Sequence, residues 1–310
     1  MDKEEKEKIL QAGKILSQVK KYAREIIKPG EYLNEIANKI EDKIHELGGR
    51  VAFPTNLSID KIAAHYTPSY DDENTARGLL KVDIGVHVDG YIADSAFSLD
   101  LEEKGSKESE QNQNLINSAN AALESAGSTL AAGVELREIG RVVEKTMKEY
   151  DTTPITNLTG HEIEQYDLHA GLAIPNYDNE SSEKITLGLY AIEPFATEKN
   201  ASGKVKEGKL SGIYILTDDK KPRSQTARQV LDFIIEEYYT LPFCSRQIVR
   251  VLGTRALIGL RELERNGNLH HFPQLIESSG YKVAQSEHTF LVEETSNEDK
   301  EKSEVTITTE

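Results

Sequence analysis

Five side chains in this chain combine donor types with settings that suit chemistry: Asp83, Asp94, His161, Glu193 and Glu287. Four carboxylates and one imidazole, with no thiolate, suit borderline-hard divalent ions such as Mn, Fe, Co or Zn. Two such ions roughly 3.5 to 4 Å apart can hold a hydroxide between them and clamp the oxygens of a hydrolytic transition state. Peptide or ester hydrolysis is the chemistry this set points to. Each residue alone says less. A hairpin with one wet face also carries aspartates, a strand-end glutamate such as Glu193 can face water, and His161 could cap a loop.

The two aspartates have the clearest placement. They lie eleven residues apart in two β-rich runs joined by Asp89-Gly90, a dipeptide suited to a two-residue turn with both central residues at positive φ. With that turn, Val88 faces Tyr91 and Gly85 faces Asp94. Asp83 is then the diagonal neighbour of Asp94 at roughly 7 Å backbone separation, with Gly85 between. Carboxylates this close repel unless a cation lies between them. Val82, Ile84, Val86, Val88, Tyr91, Ala93 and Phe97 form the opposite, core-seeking face.

Around this hairpin the periodicity predicts an α+β layer fold. Ile9, Ala12, Leu16, Val19, Ala23 and Ile26 mark one amphipathic helix; Leu33, Ile36, Ala37, Ile40, Ile44 and Leu47 mark a second. Pro29-Gly30 and Gly48-Gly49 stop them. Two more helices are expected over Leu115 to Leu130 and Leu136 to Tyr150, then strands and loops from Thr156 to Thr197. Three short helices around Val230, Ile248 and Leu260 break that texture and read as a helical subdomain inserted over about 220–280. Strands resume from Tyr281 to Val292 and at Val305 to Thr308. The acidic run from Glu293 to Glu304 reads as a solvated, mobile loop between them.

Composition narrows the class. With 310 residues, 37% hydrophobic and 29% charged, the chain can bury the core of one large domain or two ordinary ones. A net charge of -16 argues against a nucleic-acid or anionic-membrane partner, because phosphate binding needs clustered Lys and Arg. The one cysteine, Cys244, leaves no internal disulfide and fits a reducing compartment. The first residues are mixed-charge helix material, and no apolar run approaches the roughly 18 residues of a membrane span, so a cytoplasmic location is expected.

The five residues and their flanking motifs resemble the dinuclear site of the methionine aminopeptidases, in the type 2 form of archaea and eukaryotes. The resemblance runs through Ala52-Phe53-Pro54-Thr55-Asn56-Leu57-Ser58, Ala63-Ala64-His65-Tyr66-Thr67-Pro68, the Asp83–Asp94 hairpin, Asn157-Leu158-Thr159-Gly160-His161, Leu168-His169-Ala170-Gly171, Ile192-Glu193-Pro194-Phe195-Ala196-Thr197, Leu241-Pro242-Phe243, Glu287-His288-Thr289 and Thr308-Thr309-Glu310. It implies a single catalytic pita-bread domain over 1–310, a curved antiparallel sheet covered by helix pairs, with the helical insertion characteristic of type 2. The absence of a basic N-terminal extension points to the archaeal form.

The resemblance also implies roles. Asp83 would hold one metal, Asp94 and Glu287 would bridge both, and His161 and Glu193 would complete the coordination of the second metal, for two divalent ions per chain. Glu193 would serve as general base towards the bridging water. His169 would donate to the substrate carbonyl oxygen and His65 would stand near the scissile amide, while Phe53, Leu168 and Phe195 would wall the methionine side chain. The implied reaction removes the initiator methionine of nascent polypeptides when the second residue is small. A metal-bridged hydroxide would attack the first peptide bond, in a monomer near the ribosome with no nucleic-acid or membrane contact. Gly85 would keep the space opposite Asp94 clear for the metals, and Gln285-Ser286, where an aromatic is often seen, would affect packing rather than ligation. The family's histidine at the far pocket wall has no counterpart between Glu198 and Ser211. Two rival readings share the scaffold: an X-Pro aminopeptidase or prolidase, and a non-catalytic RNA- or ribosome-binding relative. The intact ligand set and the acidic charge disfavour the second.

Overall fold

The first helix starts where the sequence offers a reciprocal cap. Asp2 accepts from the Glu5 amide at 2.9 Å and Glu5 accepts from the Asp2 amide at 2.7 Å, opening α1 (Lys3–Ile26). In the computed structural model, which describes residues 1–295 and 303–310, α1 is followed by α2 (Leu33–Glu46), β1 (Arg50–Ile59), β2 (Ile62–Ala64), β3 (Leu79–Val88) and β4 (Tyr91–Asp100). The apolar stripes of α1 and α2 bury Leu16, Val19, Ile36 and Ile40 against Val82, Ile84, Val86 and Phe97 of the β1-β3-β4 sheet.

A second helix pair, α3 (Lys107–Thr129) and α4 (Leu136–Glu149), precedes β5 (Thr152–Pro154), β6 (Thr159–Glu164), β7 (Asp167–Pro175), β8 (Gly188–Ile192) and β9 (Phe195–Glu198). After a further unit come β13 (Val283–Gln285), β14 (His288–Glu294) and β15 (Ser303–Ile307). Leu115, Ala119, Ile139 and Val143 of α3 and α4 pack on Tyr190, Ile192 and Phe290, covering the antiparallel sheet β15-β14-β8-β6-β7. The molecule thus repeats one layer scheme, a helix pair on a sheet, and β4 at the edge of the first sheet contacts β14 and β6 of the second.

The intervening unit comprises β10 (Val205–Leu216), α5 (Gln225–Glu237), β11 (Phe243–Cys244), α6 (Ser245–Leu252), α7 (Ala256–Asn266) and β12 (Leu269–Glu277). Its helices build their own core from Val230, Ile234, Ile248, Leu260 and Leu263. Periodicity locates those helices but not the β10–β12 ribbon beneath them, which begins upstream of residue 220. Residues 206–210 of β10 are all exposed, so the strand shows no alternation to read. Part of the acidic run is strand: Glu293 pairs with Glu304 across β14 and β15. The loop expected between them lies at 296–302, outside the described residues.

Candidate metal centre and cleft

The turn fixes the hairpin. Asp89 and Gly90 take φ of 50° and 85°, and β3 pairs with β4 as Val88 to Tyr91 and Gly85 to Asp94. Asp83 and Asp94 therefore share the face predicted from spacing, and Val82, Ile84, Val86, Ala93 and Phe97 fill the core behind them. The opposite half supplies the other residues. His161 stands on β6, while His288 pairs with Ile192, so one step further the register sets Glu193 opposite Glu287.

Hydrogen bonds stitch the halves together at this seam. The Glu287 amide donates to the Ala96 carbonyl at 3.0 Å, and Ser95 Oγ donates to the Glu287 carbonyl at 2.5 Å. Thr289 Oγ1 accepts from the Asp94 amide at 2.8 Å and donates to the Asp94 carbonyl at 2.7 Å. Lys20 of α1 donates to Ser95 Oγ at 2.8 Å, and Asn176 donates to the Glu193 carbonyl at 3.2 Å.

His161 Nε2 lies 3.6 Å from Asp94 Oδ2 and 3.7 Å from Glu193 Oε1, too far for hydrogen bonds. Two ligands about 2.1 Å from one tetrahedral ion stand roughly 3.4 Å from each other, so these separations fit a shared cation. Donor atoms of Asp94, His161 and Glu287 all lie within 4.8 Å of one another. Asp83 Oδ1, Asp94 Oδ1, Glu287 Oε2 and His161 Nδ1 are buried without a hydrogen-bond partner. Buried polar atoms are normally satisfied, and the three carboxylate oxygens among these orphans, beside His161 Nε2, match a cation-binding donor set.

The electrostatics agree. Burial pushes Asp83 up to about 7. Burial, reinforced by Asp83 and Glu193, holds Asp94 well above the carboxylate range. Glu193 is raised by burial and by Asp83, and Glu287 by burial and by Asp94, Glu193 and Asp83. Burial, aided by His169, lowers His161 to about 3. The centre resists both ionised carboxylates and a protonated imidazole, and a divalent cation reverses the first preference.

These residues floor a cavity of about 260 Å³ that also exposes His65, His169, Phe53, Leu168 and Phe195. The five candidate ligands, both candidate substrate histidines and the three candidate wall residues therefore line one space. Burial and His169 lower His65 to about 4, and burial of its ring lowers His169 although the residue as a whole is exposed. The His161 and His169 ring centroids are 4.3 Å apart. A larger cleft of about 780 Å³, beside Glu5 and Tyr91, contains none of them.

Two expectations change. A Cβ on Gly85 would lie 2.3 Å from Phe53 Cε1, so this glycine makes room for the pocket wall. Gln285 is more than packing: its Nε2 donates to Glu193 Oε2 at 3.3 Å. Strand alternation carried that signal, since Gln285 precedes Glu287 by two residues. Asn56, Ile213, Pro242, Phe272 and Leu275 also line the cavity. Three of these come from the β10–β12 ribbon, and Phe272 and Leu275 occupy wall positions for which the sequence offered no candidate.

Comparison with known proteins places this chain. The chain is 44% identical to the methionine aminopeptidase of Thermococcus onnurineus over 297 residues, covering 94% of this chain and 97% of that protein. It is 35% identical to that of Saccharolobus solfataricus over 298 residues, covering 94% and 96%. Among solved structures, a thermophilic Arx1 superposes with a TM-score of 0.80 at 16% identity, covering 99% of this chain and 91% of that one. The methionine aminopeptidase of Thermotoga maritima gives 0.69 at 18% identity, covering 100% and 98%. These likenesses establish the pita-bread fold. Residues 7–294 match metallopeptidase family M24, and with these full-length relatives the chain belongs to that family.

Proposed function

We propose that this chain is a type 2 methionine aminopeptidase that removes an N-terminal methionine followed by a small residue. The observation that carries this reading is the convergence of Asp83, Asp94, His161, Glu193 and Glu287 with His65 and His169 in one cavity. The five would hold two divalent ions, Co, Mn, Fe or Zn, with Asp94 and Glu287 shared between them. When bound, such ions supply Lewis acidity towards the amide carbonyl and lower the pKa of water.

The chain's own residues do the rest. Glu193, held by Gln285 and raised by burial, takes and returns a proton at its carboxylate. Burial keeps His65 and His169 neutral near pH 7, so each offers one N–H donor. His169 donates to the substrate carbonyl oxygen as charge develops there, a contribution of about 3 kcal/mol. His65 faces the scissile amide. Phe53, Leu168 and Phe195 enclose the methionine side chain and exclude water. The α5–α7 unit supports the type 2 assignment. The reading extends to a cytoplasmic monomer acting on nascent chains near the ribosome, with no direct nucleic-acid or membrane partner. The charge of -16 supports the nucleic-acid part, and no helix among the described residues is long and apolar enough to cross a membrane.

Purified chain supplied with Mn or Co should release methionine from a Met-Ala-Ser peptide, and Asp94→Asn should abolish release. Cleavage of an X-Pro peptide with the Met-Ala-Ser peptide left intact would instead favour the X-Pro reading.

A further inference from the structure

His169 owes its place to an irregularity in the β6–β7 pairing. Thr159 pairs with Pro175, Gly160 with Ile174 and His161 with Ala173, but Glu162 pairs with Ala170, leaving Gly171 and Leu172 as extra residues on β7. Without that bulge the register would set His169 opposite Gln165. With it, His169 falls back by two positions towards His161, roughly 6 to 7 Å along the strand. An even shift keeps it on the same face, and the two rings end 4.3 Å apart.

The bulge is closed by one side chain. Glu162 points away from the centre, and its Oε2 accepts from the Leu172 amide at 3.0 Å. Gly171 takes φ of 48°, and a Cβ there would lie 2.0 Å from the same Oε2. The left-handed glycine and the carboxylate are therefore fitted to each other.

We propose that Glu162 is a positioning residue: its carboxylate closes the Gly171–Leu172 bulge and so fixes His169 beside the centre. This rests on the reading of His169 as a substrate donor, whereas the placement itself is testable without activity. In Glu162→Ala, the separation of the His161 and His169 rings should grow beyond 4.3 Å in crystals, and the Leu172 amide should exchange faster. Turnover of Met-Ala-Ser should fall about 10- to 100-fold in kcat with KM within about twofold, as misplacement of a donor predicts. Glu162→Gln keeps an acceptor oxygen and should restore ring separation, amide protection and kcat together. Gly171→Ala, which drives a methyl into the Glu162 carboxylate, should reproduce the kcat loss. An unchanged ring separation in Glu162→Ala overturns the proposal, as does a wild-type kcat with the bulge amide exposed. Should the wild-type chain release no methionine, the functional reading fails, and ring separation with Leu172 exchange still decides the positioning role.

Discussion

Two buried charged clusters in this molecule are built in opposite ways, one from paired charges and one from like charges. Arg246 of α6, fully buried, donates to both Glu41 oxygens at 2.9 and 2.6 Å, to Asn38 Oδ1 at 2.6 Å and to the Pro68 carbonyl at 3.2 Å. Glu41 also accepts from the Thr55 amide at 3.1 Å. Each charge there has an opposite charge and several hydrogen-bond partners. The cluster ties the helical unit to α2, to β1 beside Phe53 and to the loop after His65. At the seam between the two halves, Asp83, Asp94, Glu193 and Glu287 line one cavity as like-charged groups, and Asp83 Oδ1, Asp94 Oδ1 and Glu287 Oε2 accept no hydrogen bond. A satisfied buried pair holds structure together, whereas an unsatisfied set of like charges identifies the place where something must bind.

The largest test of this contrast is metal removal. Dialysis against a chelator should lower methionine release by about a thousandfold, the several kcal/mol that Lewis acidity supplies, while circular dichroism stays native and Mn or Co restores the rate. In the metal-free chain, Glu287→Gln should leave the Tm unchanged or raise it, because it removes an uncompensated charge, and should abolish the Tm gain on adding metal. A Tm loss in that metal-free variant would break the contrast.

Arg246→Met is next, since it strands Glu41 in the core. It should cost about 3 to 5 kcal/mol in denaturant unfolding, and the double variant with Glu41→Leu should recover most of that loss. If the double variant is no better than the single one, the pair is doing more than satisfying itself.

A smaller satisfied group sits on the aspartate hairpin. His87 Nδ1 accepts from the Gly90 amide at 3.0 Å, and burial, with Arg50 and His45 outweighing Asp89, lowers its pKa to about 4. Between pH 4 and 6.5 the unfolded chain binds the proton that folded His87 refuses, so stability should rise with pH across that window and level off above it. The span is up to about 3 kcal/mol, and His87→Gln should flatten it in urea titrations at pH 4.5 and 7. The smallest effect concerns Gly85→Ala, whose methyl must displace the Phe53 ring. A loss of about 1 to 3 kcal/mol with a raised KM is expected, and metal affinity measured by calorimetry should stay intact. Weakened metal binding there would return Gly85 to the role its spacing first suggested.

Much of the fold was legible because its signals are local. Asp89-Gly90 sets the β3–β4 register, and residue spacing then fixes which face both aspartates share. Apolar stripes with their caps placed α1 to α7. Gln285 was readable in principle from its two-residue offset to Glu287. Less local features escaped: the β10–β12 ribbon has an exposed stretch with no alternation, and its contribution of Ile213, Phe272 and Leu275 to the cleft depends on how two distant strands pair.

The sequence by itself determined the donor set, the hairpin that presents two of its members and the helices that cover each sheet, since each follows from neighbours along the chain. Tertiary structure alone decided that Glu193 lies opposite Glu287, that a bulge draws His169 to His161, and that Arg246 meets Glu41 across 205 residues. Those outcomes depend on strand pairing and burial between distant segments, where the free energy of desolvated charge is set by partners that no local pattern names.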